Sequence, residues 1–326
     1  MNTALIETRN VKKFFPVKTG PFSGPRSLKA VNGVSFHLEE GETLGLAGES
    51  GSGKSTLAKL LLGLLRPDEG EILFHGKSLH DLTVDEFRIF RKSTQMIFQD
   101  PYSSLNPRMR VGDIIGEPLR IHGLSSLPSY REQVVSLMER VGLSADQFSR
   151  YPHEFSGGQR QRIGIARALA VSPRVIIADE PVSALDLSIQ AQIINLLQEL
   201  KREFSLSFLV IAHDLSVLHH MCDRIAIMYL GSIVEMGKTS DVFDGFLHPY
   251  TEALLAAAPH VDTKSGKQRI ILSGDIPSPL APPAGCPFHT RCPYARPAIC
   301  AQSTPFLEGQ KPGHYAACHR SAELFH

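Results

Sequence analysis

Short runs of consecutive apolar residues recur along the chain and predict strands that are buried on both faces. Five such runs stand at 43–47, 94–98, 175–178, 208–212 and 224–229. A continuous apolar run without alternation is typical of a parallel sheet covered by helices on both sides. The pattern therefore predicts an α/β fold with a parallel central sheet.

Between residues 101 and 154 the apolar residues follow a helical period instead. In 131–141 they share one face of a helix, and Gly142 follows as a stop signal. These helices predict a helical subdomain at about 101–160, inserted between two strands of the core. Residues 16–28 hold three prolines and two glycines, which indicates an exposed loop near the start of an antiparallel β subdomain.

A glycine-rich segment at 48–56 follows the first apolar run and precedes a helical pattern at 54–65. It fits the phosphate-loop motif G-x-x-x-x-G-K-[ST], which needs this strand–loop–helix context. Glycines let backbone N–H groups turn toward phosphate oxygens, and the helix that follows directs its positive end there. Lys54 is expected to bridge the β- and γ-phosphates of a bound ATP, and Ser55 to bind Mg²⁺. The residues expected to bind nucleotide here are Gly48, Ser50, Gly51, Ser52, Gly53, Lys54, Ser55 and Thr56.

Two adjacent acids, Asp179 and Glu180, end the apolar run at 175–178. Ligands of parallel sheets lie at the carboxyl ends of the strands, so both acids are candidates for the same site. We expect Asp179 to hold Mg²⁺ through water and Glu180 to act as the base that polarises the attacking water. A structural alternative is that the two acids only cap the turn before Pro181.

Composition sets few limits on function. The 326 residues are 42% hydrophobic with a net charge of +1, which gives no general argument for binding nucleic acid or an anionic membrane. No apolar run approaches the roughly 18 residues that a membrane span needs. The first residues lack the basic and apolar regions of a signal peptide, so we expect a cytoplasmic chain whose membrane spans, if required, come from other subunits.

A segment that opens a run of helix formers, Phe155-Ser156-Gly157-Gly158-Gln159, resembles the signature of ATP-binding cassette (ABC) ATPases. The resemblance implies that this signature closes over ATP held by another subunit. Three further residues take roles by the same resemblance: Gln99 as the Q-loop glutamine that senses Mg²⁺, His213 as the switch histidine, and Asp186 in the D-loop at the dimer interface. Phe15 is the candidate for stacking on adenine, with Phe14 as its rival. Under this resemblance the nucleotide also contacts Ser156, Gly157, Gly158 and Gln159.

Two longer segments, 98–108 and 248–255, resemble the ATPase subunits of dipeptide, oligopeptide and nickel importers. This resemblance implies an ATPase that powers import of di- or oligopeptides from the cytoplasmic face of the membrane. The implied partners are a homologous second ATPase in a heterodimer, two transmembrane permeases and an extracytoplasmic solute-binding protein, with no nucleic acid. The alternatives are an importer of another solute such as nickel, and a non-transport ABC ATPase that acts on nucleic acid or ribosomes.

Four of the five cysteines lie near the end of the chain, at Cys286, Cys292, Cys300 and Cys318, with five, seven and seventeen residues between neighbours. A cytoplasmic location argues against disulfides and favours metal. The loose spacing favours an iron–sulfur cluster over zinc, whose sites usually contain a tight C-x₂₋₄-C pair. The family resemblance likewise implies a [4Fe-4S] cluster, with Zn²⁺ as the alternative and four free thiols in an apolar plug as the structural one. We expect the cluster to be structural and remote from ATP hydrolysis.

The predicted fold is thus a P-loop NTPase with a RecA-like parallel sheet, an antiparallel β subdomain, an inserted helical subdomain and a small Cys-rich extension. The predicted domains are a nucleotide-binding domain at 1–258 and a C-terminal extension at 259–326.

Overall fold

The computed structural model describes residues 4–17, 26–124, 129–257, 272 and 274–325. The predicted boundary between residues 258 and 259 lies outside these residues, as does most of the loop predicted at 16–28. Among the described residues, no helix is both long and apolar enough to cross a membrane.

Twelve strands occur among the described residues. They are β1 (Ile6–Val17), β2 (Arg26–Leu38), β3 (Thr43–Ala47), β4 (Glu69–Phe74), β5 (Lys77–Ser78), β6 (Thr94–Ile97), β7 (Val175–Asp179), β8 (Ser207–Ile211), β9 (Arg224–Tyr229), β10 (Ser232–Lys238), β11 (Glu308–Lys311) and β12 (His314–Ala316).

The same part of the chain forms eleven α-helices. They are α1 (Lys54–Leu61), α2 (Val84–Ser93), α3 (Val111–Ile121), α4 (Tyr130–Arg140), α5 (Gly157–Leu169), α6 (Leu187–Phe204), α7 (Leu215–Met221), α8 (Thr239–Asp244), α9 (Pro249–Ala257), α10 (Pro297–Cys300) and α11 (Ser321–Leu324). Short 3-10 turns stand at Leu79–Asp81, Ala145–Ser149 and Pro152–Glu154.

The larger sheet confirms the predicted parallel core. Its described strands run in the order β11-β12-β10-β9-β3-β8-β7-β6, and the five from β9 to β6 are parallel. Every residue of β3, β7 and β8 is buried, which is why these segments carry continuous apolar runs. Their carboxyl ends meet at one edge, and the phosphate loop and the Asp-Glu pair therefore lie at the same edge.

The predicted antiparallel β subdomain is the second sheet, in the order β2-β1-β4-β5. The predicted helical subdomain consists of α3, α4, two of the 3-10 turns and the start of α5, and it stands between β6 and β7 along the chain. Val134 and Met138 face the core from α4, and Gly142 follows the helix with a φ of 75°. The helical period of the sequence thus identified the buried face correctly.

The C-terminal extension is part of the main sheet. Strand β12 pairs with β10, and β11 pairs with β12. Phe288 packs against Tyr229 and Tyr250, with ring centroids 5.3 and 5.4 Å away. The extension is therefore held by backbone hydrogen bonds and a buried aromatic cluster, which are the ordinary means of joining a segment to a core.

Candidate nucleotide-binding site

The loop between β3 and α1 has the bent backbone that a phosphate loop requires. Gly48, Gly51 and Gly53 have φ values of 149°, 78° and 105°. A Cβ at Gly48 would lie 2.2 Å from the carbonyl oxygen of Met228, and one at Gly53 would lie 2.1 Å from that of Ala30. Both the conformation and the close approach of other backbone therefore require glycine here.

Lys54 begins α1 and folds back over the loop. Its Nζ donates hydrogen bonds to the carbonyl oxygens of Gly48, at 2.7 Å, and Glu49, at 3.0 Å. Burial lowers the pKa of Lys54, while the charges of Glu180, Asp179 and Glu49 oppose this. The ammonium group is thus buried beside three carboxylates and directed at the loop, where an anionic ligand would be favourable.

The hydroxyl residues of the motif differ in exposure. Ser50 and Ser55 are exposed, Thr56 is half-buried and Ser52 is buried. The carbonyl oxygen of Ser52 accepts a hydrogen bond from the N–H of Gly231, at 2.9 Å. The exposed hydroxyls are the ones available to a ligand.

Asp179 is the last residue of β7 and is 7% exposed. One of its carboxylate oxygens is buried without a hydrogen-bond partner in the described part of the chain. Burial raises the pKa of Asp179, a hydrogen bond from Ser55 opposes the rise, and the neighbouring charge of Glu180 adds to it. An unpartnered buried carboxylate oxygen beside a serine hydroxyl matches the oxygen ligands that Mg²⁺ prefers, so these residues fit the ion.

Glu180 has a left-handed backbone with a φ of 46°, and its N–H donates to the carbonyl oxygen of Ile211, at 2.8 Å. For a residue with a side chain this conformation costs about 1–2 kcal/mol. The Oε2 atom of Glu180 accepts a hydrogen bond from Nε2 of Gln99, at 2.8 Å, and lies 3.3 Å from Nδ1 of His213. The structure thus brings together three predicted catalytic residues at one carboxylate oxygen.

Ser156 caps the N-terminus of α5 in a capping box. Its hydroxyl accepts from the N–H of Gln159, at 3.4 Å, and the Gln159 side chain accepts from the N–H of Ser156, at 3.0 Å. A Cβ at Gly158 would lie 2.6 Å from Cγ2 of Ile189, so α6 packs closely against this end of α5. The Ser-Gly-Gly-Gln segment is therefore required for local structure as well as being the predicted signature.

Asp186, the predicted D-loop residue, caps α6 by accepting the N–H of Ile189, at 3.0 Å. A Cβ at Gly157 would lie 3.5 Å from Leu185, so the signature and the D-loop touch within one chain. Leu187 beside them is 74% exposed. The two segments form one surface that faces away from the core.

Phe15 lies in β1 opposite Leu28 of β2 and is partly exposed, and Nζ of Lys13 lies 5.7 Å from the centre of its ring. The backbone N–H of its rival, Phe14, donates to Asp68, at 2.6 Å. The stacking of Phe15 on adenine stays a prediction.

The prediction of an iron–sulfur cluster is wrong, and so is the zinc alternative. Cys286, Cys292, Cys300 and Cys318 line one small pocket, but the described residues contain no group of histidine, cysteine and acidic side chains that could hold a metal ion. Burial raises the pKa of Cys286 to about 12 and that of Cys292 to about 11, which favours neutral thiols. The physical reason is that cysteines clustered along the sequence do not by themselves form a ligand set, and this extension is held by its strands and its aromatic cluster instead.

Three histidines close to these cysteines along the chain, His289, His314 and His319, each have a polar partner within the protein. His314 Nε2 lies 2.8 Å from Oε1 of Glu235, and His289 Nδ1 lies 2.8 Å from the carbonyl oxygen of Cys286. His319 Nε2 lies 2.8 Å from the carbonyl oxygen of Ser303.

Two contacts with the phosphate loop were missed by the sequence reasoning. Arg291 of the extension donates two hydrogen bonds to the carboxylate of Glu49, at 2.7 and 3.0 Å. The hydroxyl of Tyr250 accepts the backbone N–H of Glu49, at 2.8 Å. Tyr250 stands in the segment that resembles peptide importers, but no motif marks Arg291. The extension therefore contacts the phosphate loop, although the two are far apart along the chain.

The comparisons with known proteins agree with this geometry. The family described as ABC transporter matches residues 31–183, and the family described as oligopeptide/dipeptide transporter, C-terminal region, matches residues 234–300. The oligopeptide transport ATP-binding protein AppF of Bacillus subtilis is 52% identical over 97% of both chains. The oligopeptide transport ATP-binding protein OppF of Escherichia coli is 52% identical over 94% of this chain and 93% of its own length.

The dipeptide transport ATP-binding protein DppF of Haemophilus influenzae is 47% identical over 97% of both chains. Among solved structures, the dimer of an ATP-binding cassette in a post-hydrolysis state with ADP and Pi has a TM-score of 0.64 at 30% identity. The match covers 72% of this chain and 98% of the solved chain. The chain therefore belongs to the family of ABC transporter ATP-binding proteins, and it carries the C-terminal region of the oligopeptide/dipeptide group.

Proposed function

We propose that this chain is the ATP-hydrolysing subunit of an ABC importer of di- or oligopeptides. Its membership of the ABC family makes it an ATPase, and relatives named for oligopeptide and dipeptide transport support the solute class. The observation that carries the proposed chemistry is the convergence of Gln99 and His213 on one oxygen of Glu180.

In the proposed reaction Glu180 is the general base. Its carboxylate accepts the proton of a water molecule that attacks the γ-phosphate, and Gln99 and His213 keep that carboxylate in one orientation. The left-handed backbone of Glu180 supports this assignment, because strained residues cluster where a side chain has to be aimed at a reaction.

Lys54 and the loop N–H groups are proposed to hold the phosphates. Ser55, Asp179 and Gln99 would hold Mg²⁺, which when bound supplies positive charge that offsets the charge of the phosphates. The buried and unpartnered oxygen of Asp179 supports its place in that set. Phe15 is proposed to stack on the adenine.

The surface formed by the signature and the D-loop is proposed to face a second, homologous ATPase subunit. Ser156 and Asp186 are exposed at its edges and Leu187 projects from it, so the surface offers both polar and apolar contacts to a partner. In such a heterodimer Ser156, Gly157, Gly158 and Gln159 would serve ATP bound by the other subunit.

A groove beside Gln99 is proposed to receive a cytoplasmic segment of one of two permeases. It is lined by Leu64, Phe98 and Ile121, which are 57%, 42% and 73% exposed, and by the charged side chains of Glu117 and Arg167. Phe98 directly precedes Gln99, which binds the Oε2 atom of Glu180. A segment bound in this groove could therefore change the position of Glu180 through Gln99 alone.

The chain would then be a peripheral subunit on the cytoplasmic face of the membrane, and a binding protein on the other side would deliver the peptide. We place the boundary of its extension at 258/259.

The catalytic proposal is tested by Glu180→Gln in the complex with the permeases and the second ATPase. We expect ATP hydrolysis to fall by at least about 10²-fold, the scale of general-base catalysis, while ATP affinity is kept. Glu71→Gln, an exposed carboxylate of the antiparallel sheet, is the matched control and should leave turnover unchanged. Turnover near that of the unaltered complex in Glu180→Gln would exclude Glu180 as the base.

The solute class is tested separately, in vesicles that contain the assembled complex and its binding protein. Labelled di- and oligopeptides should be taken up with ATP and should stimulate ATP hydrolysis. Nickel uptake without peptide uptake would support the alternative importer instead.

A further inference from the structure

An ion pair joins the C-terminal extension to the phosphate loop. Both terminal nitrogens of Arg291 bind the two carboxylate oxygens of Glu49 in a fork, at 2.7 and 3.0 Å. The Arg291 side chain is 7% exposed and that of Glu49 is 26% exposed, so the pair is largely removed from water. Bidentate and poorly hydrated pairs of this kind are the strong ones.

The surroundings fix Arg291 in this position. Its backbone N–H donates to the carbonyl oxygen of Phe288, at 3.0 Å, and Phe288 lies in the aromatic cluster with Tyr229 and Tyr250. Tyr250 also accepts the backbone N–H of Glu49. Glu49 is thus bound through its main chain by one part of the cluster and through its side chain by the arginine beside it.

The charge of Glu49 matters because of the ligand that its loop receives. The residue lies in the phosphate-loop motif, and its carbonyl oxygen already accepts a hydrogen bond from Lys54. A free carboxylate here would repel a triphosphate and would compete with it for the charge of Lys54. A guanidinium fork cancels that charge and also directs the carboxylate to a fixed place.

We propose that Arg291 is a positioning residue of the nucleotide site, which neutralises Glu49 and so keeps the phosphate loop receptive to ATP. Arg291 does not touch the substrate; it acts through Glu49. The proposal depends on the proposed function only in taking this loop as the site of the ATP phosphates. The extension would thus contribute to nucleotide binding by providing the positive charge that neutralises Glu49.

The test is the affinity of the full chain for a fluorescent ATP analogue, measured without hydrolysis. Arg291→Met should weaken binding about tenfold, which corresponds to about 1.4 kcal/mol. The defect should be smaller for the ADP analogue and should shrink at high salt, since both changes reduce the repulsion from a free carboxylate. Arg296→Met is the matched control, because Arg296 pairs with Glu323 at the surface of the same extension and should change nothing.

The double variant Glu49→Gln with Arg291→Met separates charge from attachment. If Arg291 acts by neutralising Glu49, the double variant recovers most of the affinity that Arg291→Met loses. A double variant that binds as weakly as Arg291→Met overturns the proposal, and so does normal binding by Arg291→Met.

Circular dichroism confirms that each variant is folded. Should Arg291→Met not fold, Arg291→Lys decides: it keeps the positive charge and should bind within about threefold of the unaltered chain, whereas a tenfold loss overturns the proposal. Failure of the unaltered chain to bind ATP would instead count against the proposed function, so the two failures are distinguishable.

Discussion

The adjacent carboxylates of Asp179 and Glu180 lie in different surroundings. Asp179 ends the strand inside the protein, with an oxygen that has no partner among the described residues. Glu180 turns into the left-handed region and meets Gln99 and His213. A change in backbone conformation between two adjacent residues therefore directs two identical functional groups into different surroundings.

Asp179→Asn should stabilise the nucleotide-free chain at pH 7 by about 1 kcal/mol, the usual scale of a single stabilising change at a functional site. Burial raises the pKa of Asp179 in the folded chain, so ionising this carboxyl costs stability at pH values above that pKa. The advantage of Asn should shrink as the pH falls and Asp179 becomes protonated. Urea unfolding at several pH values measures this.

A control of opposite sign is Asp100→Asn. The backbone hydrogen bond from Tyr102 lowers the pKa of Asp100, so its contribution is present at neutral pH and lost as the pH falls through that pKa. This variant should be less stable than the unaltered chain at pH 7. The same sign for both variants would contradict the account of Asp179.

With Mg²⁺ and ATP present, Asp179→Asn should also gain less thermal stability than the unaltered chain.

At the scale of elements, helix α5 contains three glycines, and two of them, Gly158 and Gly164, have contrasting surroundings. A Cβ at Gly158 would lie 2.6 Å from Ile189, whereas a Cβ at Gly164 would meet no atom within 4 Å. Gly158→Ala should therefore destabilise the chain by about 1–3 kcal/mol through overpacking. Gly164→Ala should stabilise it by up to about 1 kcal/mol through helix propensity. Thermal unfolding of the two variants side by side measures the difference, and equal effects would contradict the packing described at α5 and α6.

The attachment of the extension is also decided between elements. Glu235 of β10 is fully buried, and it binds His314 of β12 and the backbone N–H groups of Leu247 and His248. His314→Ala should destabilise the chain by about 3 kcal/mol, because it leaves a buried carboxylate without this partner. The extension should then be cleaved faster in limited proteolysis.

Tyr315→Ala, at the next position of the same strand, is the matched control. Tyr315 is 39% exposed, and its loss should cost within about 1 kcal/mol. If urea unfolding shows the two variants to be equally destabilised, the buried pair is not what attaches β12.

At the scale of the whole molecule, the site proposed for ATP is incomplete in one chain if the signature serves a partner. The isolated chain should hydrolyse ATP slowly, and a homologous second ATPase should raise turnover at least about tenfold by adding hydrogen-bond donors to the phosphates. Mixing the two purified subunits measures this, with Ser156→Ala as a variant that should lower the rate at the partner's site. Full turnover by the isolated chain, or a complex that contains permeases and this ATPase alone, would contradict the heterodimer.

The sequence by itself determined the parallel core, the phosphate loop, the inserted helices and the family. Each of these depends on local patterns, such as an apolar run of five residues or a motif of eight, which have the same meaning wherever they occur. The family resemblance pointed to Gln99 and His213, and each follows an apolar strand whose end lies at the ligand edge of the sheet. Their catalytic roles stay predictions.

The tertiary structure alone decided which of these residues meet and how the extension is held. Arg291 and Glu49 are 242 positions apart, and no local pattern marks a partner at such a distance. The prediction of a metal cluster at the four cysteines was wrong for a related reason, because closeness along the chain does not fix the directions of side chains. Strand β12 could join the sheet only where β10 leaves an edge unpaired, and an edge is a property of the assembled sheet rather than of any segment.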